Sequence, residues 1–251
     1  MGSKRVIPVL LLRNAGLVKG MRFRDHQYVG DPINAVKIFN DKEVDELIFL
    51  DISARESKAI NFELLSHISS EAFMPFAYGG GITNCQQIEK LFRNGVEKVV
   101  LNSELFHRPS LLAEAVTIAG SQSVVACVDV RKSLFGKYEI YVNNGKTKTG
   151  IALHDHLKFL VDNGVGEVVV QSIDKEGGLA GLDIPLMSDV ARSVGVPVVA
   201  SGGVSGLDNI REAFKASALS GVAVGSLFVF HGKHRAVLIT YPDRTEIDKL
   251  W

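Results

Sequence analysis

The sequence predicts a (β/α)8 barrel, and three observations carry that prediction. Eight short β-rich apolar runs alternate with longer helix-patterned segments, as in a parallel sheet covered by helices. The chain has 251 residues, a usual size for one α/β barrel. It also repeats itself near half its length. Met74-Pro75-Phe76-Ala77-Tyr78-Gly79-Gly80-Gly81-Ile82 returns as Val196-Pro197-Val198-Val199-Ala200-Ser201-Gly202-Gly203-Val204, 122 positions later. Glu46–Leu50 returns at Glu167–Gln171, and Arg5–Val9 more weakly at 123–127. That period is too long for a solenoid.

In chain order, the first strand covers 5–11 and leads into a long loop over about 12–30, rich in Arg, Asn and Gly. A helix follows over 31–42, then strand 46–52 and helix 59–71. Strand 74–78 precedes helix 84–94, which stops at Asn94-Gly95. Strand 98–102 and helix 109–118 complete the first half. Strand 123–129 opens the second, with helix 151–163 stopping at Asn163-Gly164. Strand 166–172, helix 183–194 with its stop at Gly195, strand 196–200, helix 207–217 and strand 221–225 finish the pattern. No proline-rich or low-complexity linker divides the chain. A single domain over 1–251 is expected, built from half-barrels at about 1–122 and 123–251.

Composition narrows the function classes. Lys+Arg and Asp+Glu are both 28, so no basic stripe is available for nucleic acid. No apolar run approaches the roughly 18 residues of a membrane span. The start Met1-Gly2-Ser3-Lys4-Arg5 lacks a cleavage site, and Val6 stands where acylation wants Ser or Thr, so a cytoplasmic location is expected. Two cysteines, Cys85 and Cys127, exclude a disulfide scaffold or a cysteine-rich zinc site. His154 and His156 fall on different helix faces, and His231 and His234 lack a carboxylate partner. Neither a metal nor a cofactor is expected.

Two glycine-rich turns follow the third and seventh strands, Gly79-Gly80-Gly81 and Ser201-Gly202-Gly203. Asn102-Ser103 and Gly225-Ser226 follow the fourth and eighth. Such turns let backbone N–H groups approach an anion, and a helix start behind them adds partial positive charge. The pair suits an elongated ligand with a phosphate at each end; the alternative is that the glycines only make tight turns. Carboxylates at strand ends are Asp51, Asp129, Asp174 and Glu176. Asp129 ends the inward stripe of Val125 and Cys127, where a carboxylate is costly unless used or paired. General acid–base work is its functional reading and a turn cap the alternative, with Asp51 and Glu176 as further candidates. The matching position of strand one is Leu11, which cannot transfer a proton. At the opposite end Arg5, Glu46, Lys98 and Glu167 open four strands on their inward faces. Their charges sum to zero, so they form either a salt-bridged plug or four independent surface charges. Arg13, Lys19, Arg22 and Arg24 either close over an anionic ligand or face solvent. Cys127 reads as a core cysteine.

Arg5-Val6-Ile7-Pro8, Val18-Lys19-Gly20, Gly30-Asp31-Pro32, Asp45–Ile52, Tyr78–Ile82, Ser172-Ile173-Asp174 and Ala200–Gly203 together resemble the cyclase subunit of imidazole glycerol phosphate synthase. The resemblance covers essentially the whole chain. It implies a glutaminase partner at the N-terminal barrel face and ammonia passing through the barrel to a bisphosphorylated substrate at the mouth. It implies phosphate contacts from Gly81, Asn102, Ser103, Gly177, Gly203, Gly225 and Ser226, and a floor gate of Arg5, Glu46, Lys98 and Glu167. Lys19 would close the mouth loop, Glu97 would face the glutaminase, and Asp129 matches one of two catalytic aspartates. The other falls at Leu11, and the usual Asp-Arg-Asp-Gly-Thr segment reads Asp174-Lys175-Glu176-Gly177-Gly178. Losing one member of an acid–base pair costs on the order of 10²–10⁴ in rate. The pattern resembles second copies of the subunit that accompany surface-polysaccharide amidation, with an N-acetyl sugar amidotransferase as ammonia acceptor. Three readings follow: an ammonia-conducting subunit, an authentic cyclase using Asp129 with Glu176 or Asp51, and a non-catalytic scaffold that activates the glutaminase.

Overall fold

Each inward-facing run of branched side chains finds its place in a closed sheet. The computed structural model describes residues 4–57 and 59–251. Met1–Ser3, weighed above as part of an export or acylation signal, lie outside the described residues. The barrel strands are β1 (Arg5–Arg13), β2 (Leu47–Asp51), β3 (Phe76–Gly79), β4 (Lys98–Leu101), β5 (Val124–Lys132), β6 (Glu167–Ser172), β7 (Val198–Ser201) and β8 (Gly221–Val224). Each pairs in parallel with the next, and β8 returns to β1 from Arg5↔Gly221 to Pro8↔Val224. Closure leaves no free edge among these eight. Among the described residues, seven helices cover the outside at Pro32–Asp41, Phe62–Glu71, Cys85–Arg93, Ser110–Ala119, Leu153–Asp162, Ile184–Ser193 and Leu207–Ala216. Four of them start where an Asp or Asn side chain accepts the N–H three residues on: Asp31, Asn61, Asn84 and Asp183. The eighth unit ends in the short helix Arg244–Ile247.

The period-2 pleat sorts the side chains into two separate cores. Val6, Leu10 and Leu12 of β1 pack outward against helices. Ile7 and Val9 point inward, with Ile48, Ala77, Val100, Val125, Cys127, Val169, Val199 and Ala223. Strand stagger tilts the rows: Leu11 pairs beside Leu50, then Gly79, Val100, Val125 and Glu167. One residue at the mouth is thereby linked by register to one at the floor.

The loop expected over residues 12–30 is instead an antiparallel ribbon of Gly16–Met21 and Arg24–Gly30 extending β1. Its two reversals are Asn14-Ala15 and Arg22-Phe23, all four residues having positive φ. Such two-residue turns match the twist of a hairpin, but they lack the Asn-Gly or Asp-Gly pattern by which a sequence reveals them. A second ribbon extends β5, whose end pairs with Tyr138–Val142, followed by Thr147–Ala152. Both ribbons rise on the mouth side. Among the described residues, no helix is long and apolar enough to cross a membrane.

Candidate functional site

At the floor the four inward charges form a closed ring. Arg5 meets Glu46 at 2.6 Å and Glu167 at 3.0 Å; Lys98 meets Glu46 at 2.7 Å and Glu167 at 3.4 Å. The Glu46 and Glu167 side chains are 7% and 9% exposed. Burial works against the Arg5 charge, and the two carboxylates outweigh it, holding the guanidinium above its ordinary value. Independent surface charges would not converge this way. Glu97 is exposed beside the ring, at the start of β4.

Above the ring the lumen is apolar up to the mouth, where Leu11 and Leu50 join its wall. There a cavity of about 530 Å³ opens. It is lined by Leu11, Lys19, Asp51, Gly81, Asn102, Ser103, Cys127, Asp129, Glu176 and Gly225, among others. Asp129 is buried and accepts a 2.8 Å hydrogen bond from Asn102 Nδ2. Burial, reinforced by the charge of Glu176, pushes its carboxyl up to about 7. A group titrating there can both give and take a proton near neutrality. Cys127 lies on the lumen wall with Sγ 3.6 Å from Asp129 Oδ1, and burial pushes its thiol up. The core cysteine is thus also a neighbour of the acid.

Glu176 accepts a 2.7 Å hydrogen bond from Gln171 Nε2. Its charge also reaches Lys19, whose ammonium donates to Val9 O at 2.7 Å. Lys19 is fully buried within the ribbon, and burial lowers its ammonium to about 8. Here it is a fixed cation at the mouth, because strand pairing replaces the mobile loop. Arg13, Arg22 and Arg24 are exposed and do not line the cavity. Asp51 Oδ1 accepts from Ser53 N, Ser53 Oγ and Ala54 N, so that oxygen caps the next turn. Its Oδ2 has the Tyr78 hydroxyl at 3.5 Å. Asp174 holds Lys132 N–H and Arg131 in the second ribbon, away from the mouth cavity.

The glycine turns flank the mouth. Gly81 has φ +67°, and a Cβ there would lie 2.8 Å from Ala54 Cβ. At Gly225 a Cβ would stand 2.7 Å from Lys19 Nζ, so the missing side chain makes room for the ammonium. Ser103 Oγ accepts from Asn143 N–H at 2.9 Å. Asn102 Oδ1 and Ser226 Oγ are buried without a hydrogen-bond partner. Gly203 packs under Gly181 and Lys175, while Gly177 O accepts from Arg235. Behind Ser103 and Ser226 stand only single turns, Glu104–His107 and Ser226–Phe228. Backbone N–H groups and side chains, not a macrodipole, therefore supply any anion-binding power there.

The mouth also contains residues the sequence did not single out. Gln171 and Ser201 sit level with Asp129, joined by Asp129↔Gln171 and Gln171↔Ser201 register. The parity that found Asp129 would have found both. Phe23 and His26 reach the cavity from the first ribbon, which no strand pattern signalled, and Asn144 from the second, whose Asn144-Gly145 turn is a hairpin signal. Among the described residues there is no group of three or more His, Cys, Asp or Glu able to hold a metal.

A family model described as histidine biosynthesis protein matches residues 5–235. A Pseudomonas aeruginosa protein provisionally named imidazole glycerol phosphate synthase subunit hisF2 is 46% identical over 249 residues, covering 99% of both chains. A Vibrio vulnificus protein provisionally named subunit hisF3 of the same synthase is 44% identical over 98% of this chain and 95% of its own. The imidazole glycerol phosphate synthase subunit HisF of Streptococcus sanguinis is 36% identical over 90% of each. The chain belongs to the HisF family. At the mouth of this HisF-family barrel Leu11 and Glu176 both line the cavity, and the charge of Glu176 reaches Lys19.

Proposed function

We propose that this HisF-family subunit receives ammonia from a glutaminase docked at the barrel floor and conducts it through the lumen. The ammonia reaches a phosphorylated ligand at the mouth, or an N-acetyl sugar amidotransferase docked there. Cyclase and lyase turnover by the subunit itself is weak or lost. The observation that carries this reading is the closed ion ring beneath a continuous apolar lumen that ends at Leu11 instead of a second acid. A neutral molecule meets no fixed charge between Val169 and the mouth, whereas a cation would pay to enter such walls. Exposed Glu97 suits a docking face at the floor. The Gly79-Gly80-Gly81 turn, Lys19, Asn102, Ser103 and Gly225 line the cavity and supply the donors a phosphate needs.

The test plugs the tube in the complex with the glutaminase. Val100→Trp should leave glutamine hydrolysis intact and abolish incorporation of glutamine-derived ammonia. Equal retention of both would establish the scaffold reading instead. One observation favours an authentic cyclase: Glu176 lies within Coulombic reach of Asp129, so the mouth still holds two carboxylates. The ribulosyl-formimino substrate with ammonium salt decides between them. Turnover within about tenfold of roughly 1 s⁻¹ would make the chain a working cyclase.

A further inference from the structure

Each anion cradle carries one cation and one carboxylate on its rim. Beside Gly225 these are Lys19 and Glu176. Beside Gly81 and Ser103 they are Arg55 and Glu104, both lining the cavity. Arg55 follows Ala54, the residue packed under Gly81, and Glu104 follows Ser103 directly. Their closest approach, Arg55 Nη1 to Glu104 Oε2, is 3.8 Å, too long for a hydrogen bond. The side chains are 35% and 18% exposed. An ion pair so loose and wet is nearly free to break. An incoming phosphate would offer the guanidinium a charge-assisted, bidentate contact that Glu104 does not. Next to them, Ser103 Oγ accepts from Asn143 N–H, which leaves its own proton to donate into the cavity.

We propose that Arg55 is an anion-binding residue of the cradle formed by Gly81, Asn102 and Ser103, and that Glu104 is the counter-charge that sets this cradle's affinity. Resting on the phosphate reading of the glycine turns, this assigns the two positions opposite effects. Without ligand, Glu104 holds Arg55 beside the cradle and its negative charge repels the anion. With ligand, Arg55 turns to the phosphate. The cradle thereby favours ligand ends strong enough to displace a carboxylate, such as a phosphomonoester dianion, over weaker monoanions.

The experiment is a ¹H–¹⁵N NMR titration of the full chain with inorganic phosphate at low salt. The amides of Gly81 and Ser103 report this cradle, and those of Gly203 and Ser226 serve as internal control. Arg55→Gln should weaken the affinity read at Gly81 and Ser103 about fivefold or more, the effect of losing one partly exposed charge contact. Glu104→Gln should strengthen it about threefold, and neither should move the control amides. An unchanged or weaker affinity in Glu104→Gln, or no effect of Arg55→Gln, overturns the proposal for this pair while leaving the cradles standing. No phosphate response at either set of amides in the unaltered chain overturns the phosphate reading and the pair together. Unchanged control amides show that the variants are folded.

Discussion

Replacing Asp129 by Asn should make this protein more stable, and more so as pH rises. The side chain is 6% exposed, with the Asn102 amide and the Cys127 thiol as its hydrogen-bond partners. Its carboxyl is raised from near 4 to about 7, chiefly by burial. Between those values the folded state binds one proton more than the unfolded, so stability falls with increasing pH. The slope of about 1.4 kcal/mol per unit makes the penalty roughly 1.5 kcal/mol at pH 5 and about 4 kcal/mol at pH 8. Asn fills the same space with no proton to lose. Urea denaturation at both pH values should show the variant gaining about 2–3 kcal/mol more at pH 8 than at pH 5. At about 2–4 °C per kcal/mol, that is roughly 5–10 °C in Tm. A gain that is equal at both pH values, or absent, would refute the raised carboxyl and with it the acid–base role. On the proposed acid–base role, keeping the carboxylate at a cost to the fold is the expected trade.

Lys98→Met removes one cation from the floor ring and leaves Glu46 and Glu167 to Arg5 alone. Breaking a buried pair costs about 3–5 kcal/mol, and the remaining Arg5 contacts should reduce this to roughly 2 kcal/mol in urea denaturation; no change would mean that the ring is not a buried unit. Gly225→Ala places a methyl 2.7 Å from the Lys19 ammonium. Because the flexible end of a lysine can yield, stability should fall by less than about 1 kcal/mol, while phosphate-induced shifts at Ser226 are lost.

Most of the fold was legible because it is periodic. Alternation of β-branched runs and helices counted the strands, and the repeat of Tyr78-Gly79-Gly80 at Ala200-Ser201-Gly202 supplied the twofold plan. The ring was legible for the same reason: Arg5, Lys98 and Glu167 stand two residues from Ile7, Val100 and Val169, so the pleat fixes their direction. The second ribbon turns at Asn143-Asn144-Gly145, an Asn-Gly signal that the sequence does carry. The first escaped because its turns depend on non-glycine residues at positive φ, such as Arg22 and Phe23, which no local pattern announces. That hid the fixed, buried state of Lys19. Asp51 shows another limit. Its place at a strand end suits catalysis or capping equally, and only the folded turn brings three donors onto one oxygen.

Leu11 links the two halves of the proposed function. A carboxylate there would stand at the same mouth as Asp129 and Glu176, and its charge would raise the cost of ionising Asp129 further. Leucine removes that acid and extends the apolar wall of Val9, Leu50 and Val100 to the rim. On the proposed function, absence of proton transfer and a longer dry conduit are then one change seen from two sides. Leu11→Asp should separate them. The new carboxylate should destabilise the barrel by about 2–4 kcal/mol, from lost apolar burial and incomplete hydration. It should raise ammonium-dependent turnover of the ribulosyl-formimino substrate at least about tenfold, toward what a second acid–base group contributes. It should also lower delivery of glutamine-derived ammonia, because a charged group at the rim binds ammonium and admits water. A variant that loses delivery without gaining turnover would mean that the mouth no longer positions that substrate, leaving conduction as the function of the barrel. A variant that gains turnover and delivers as before would mean that the apolar rim is irrelevant to transfer.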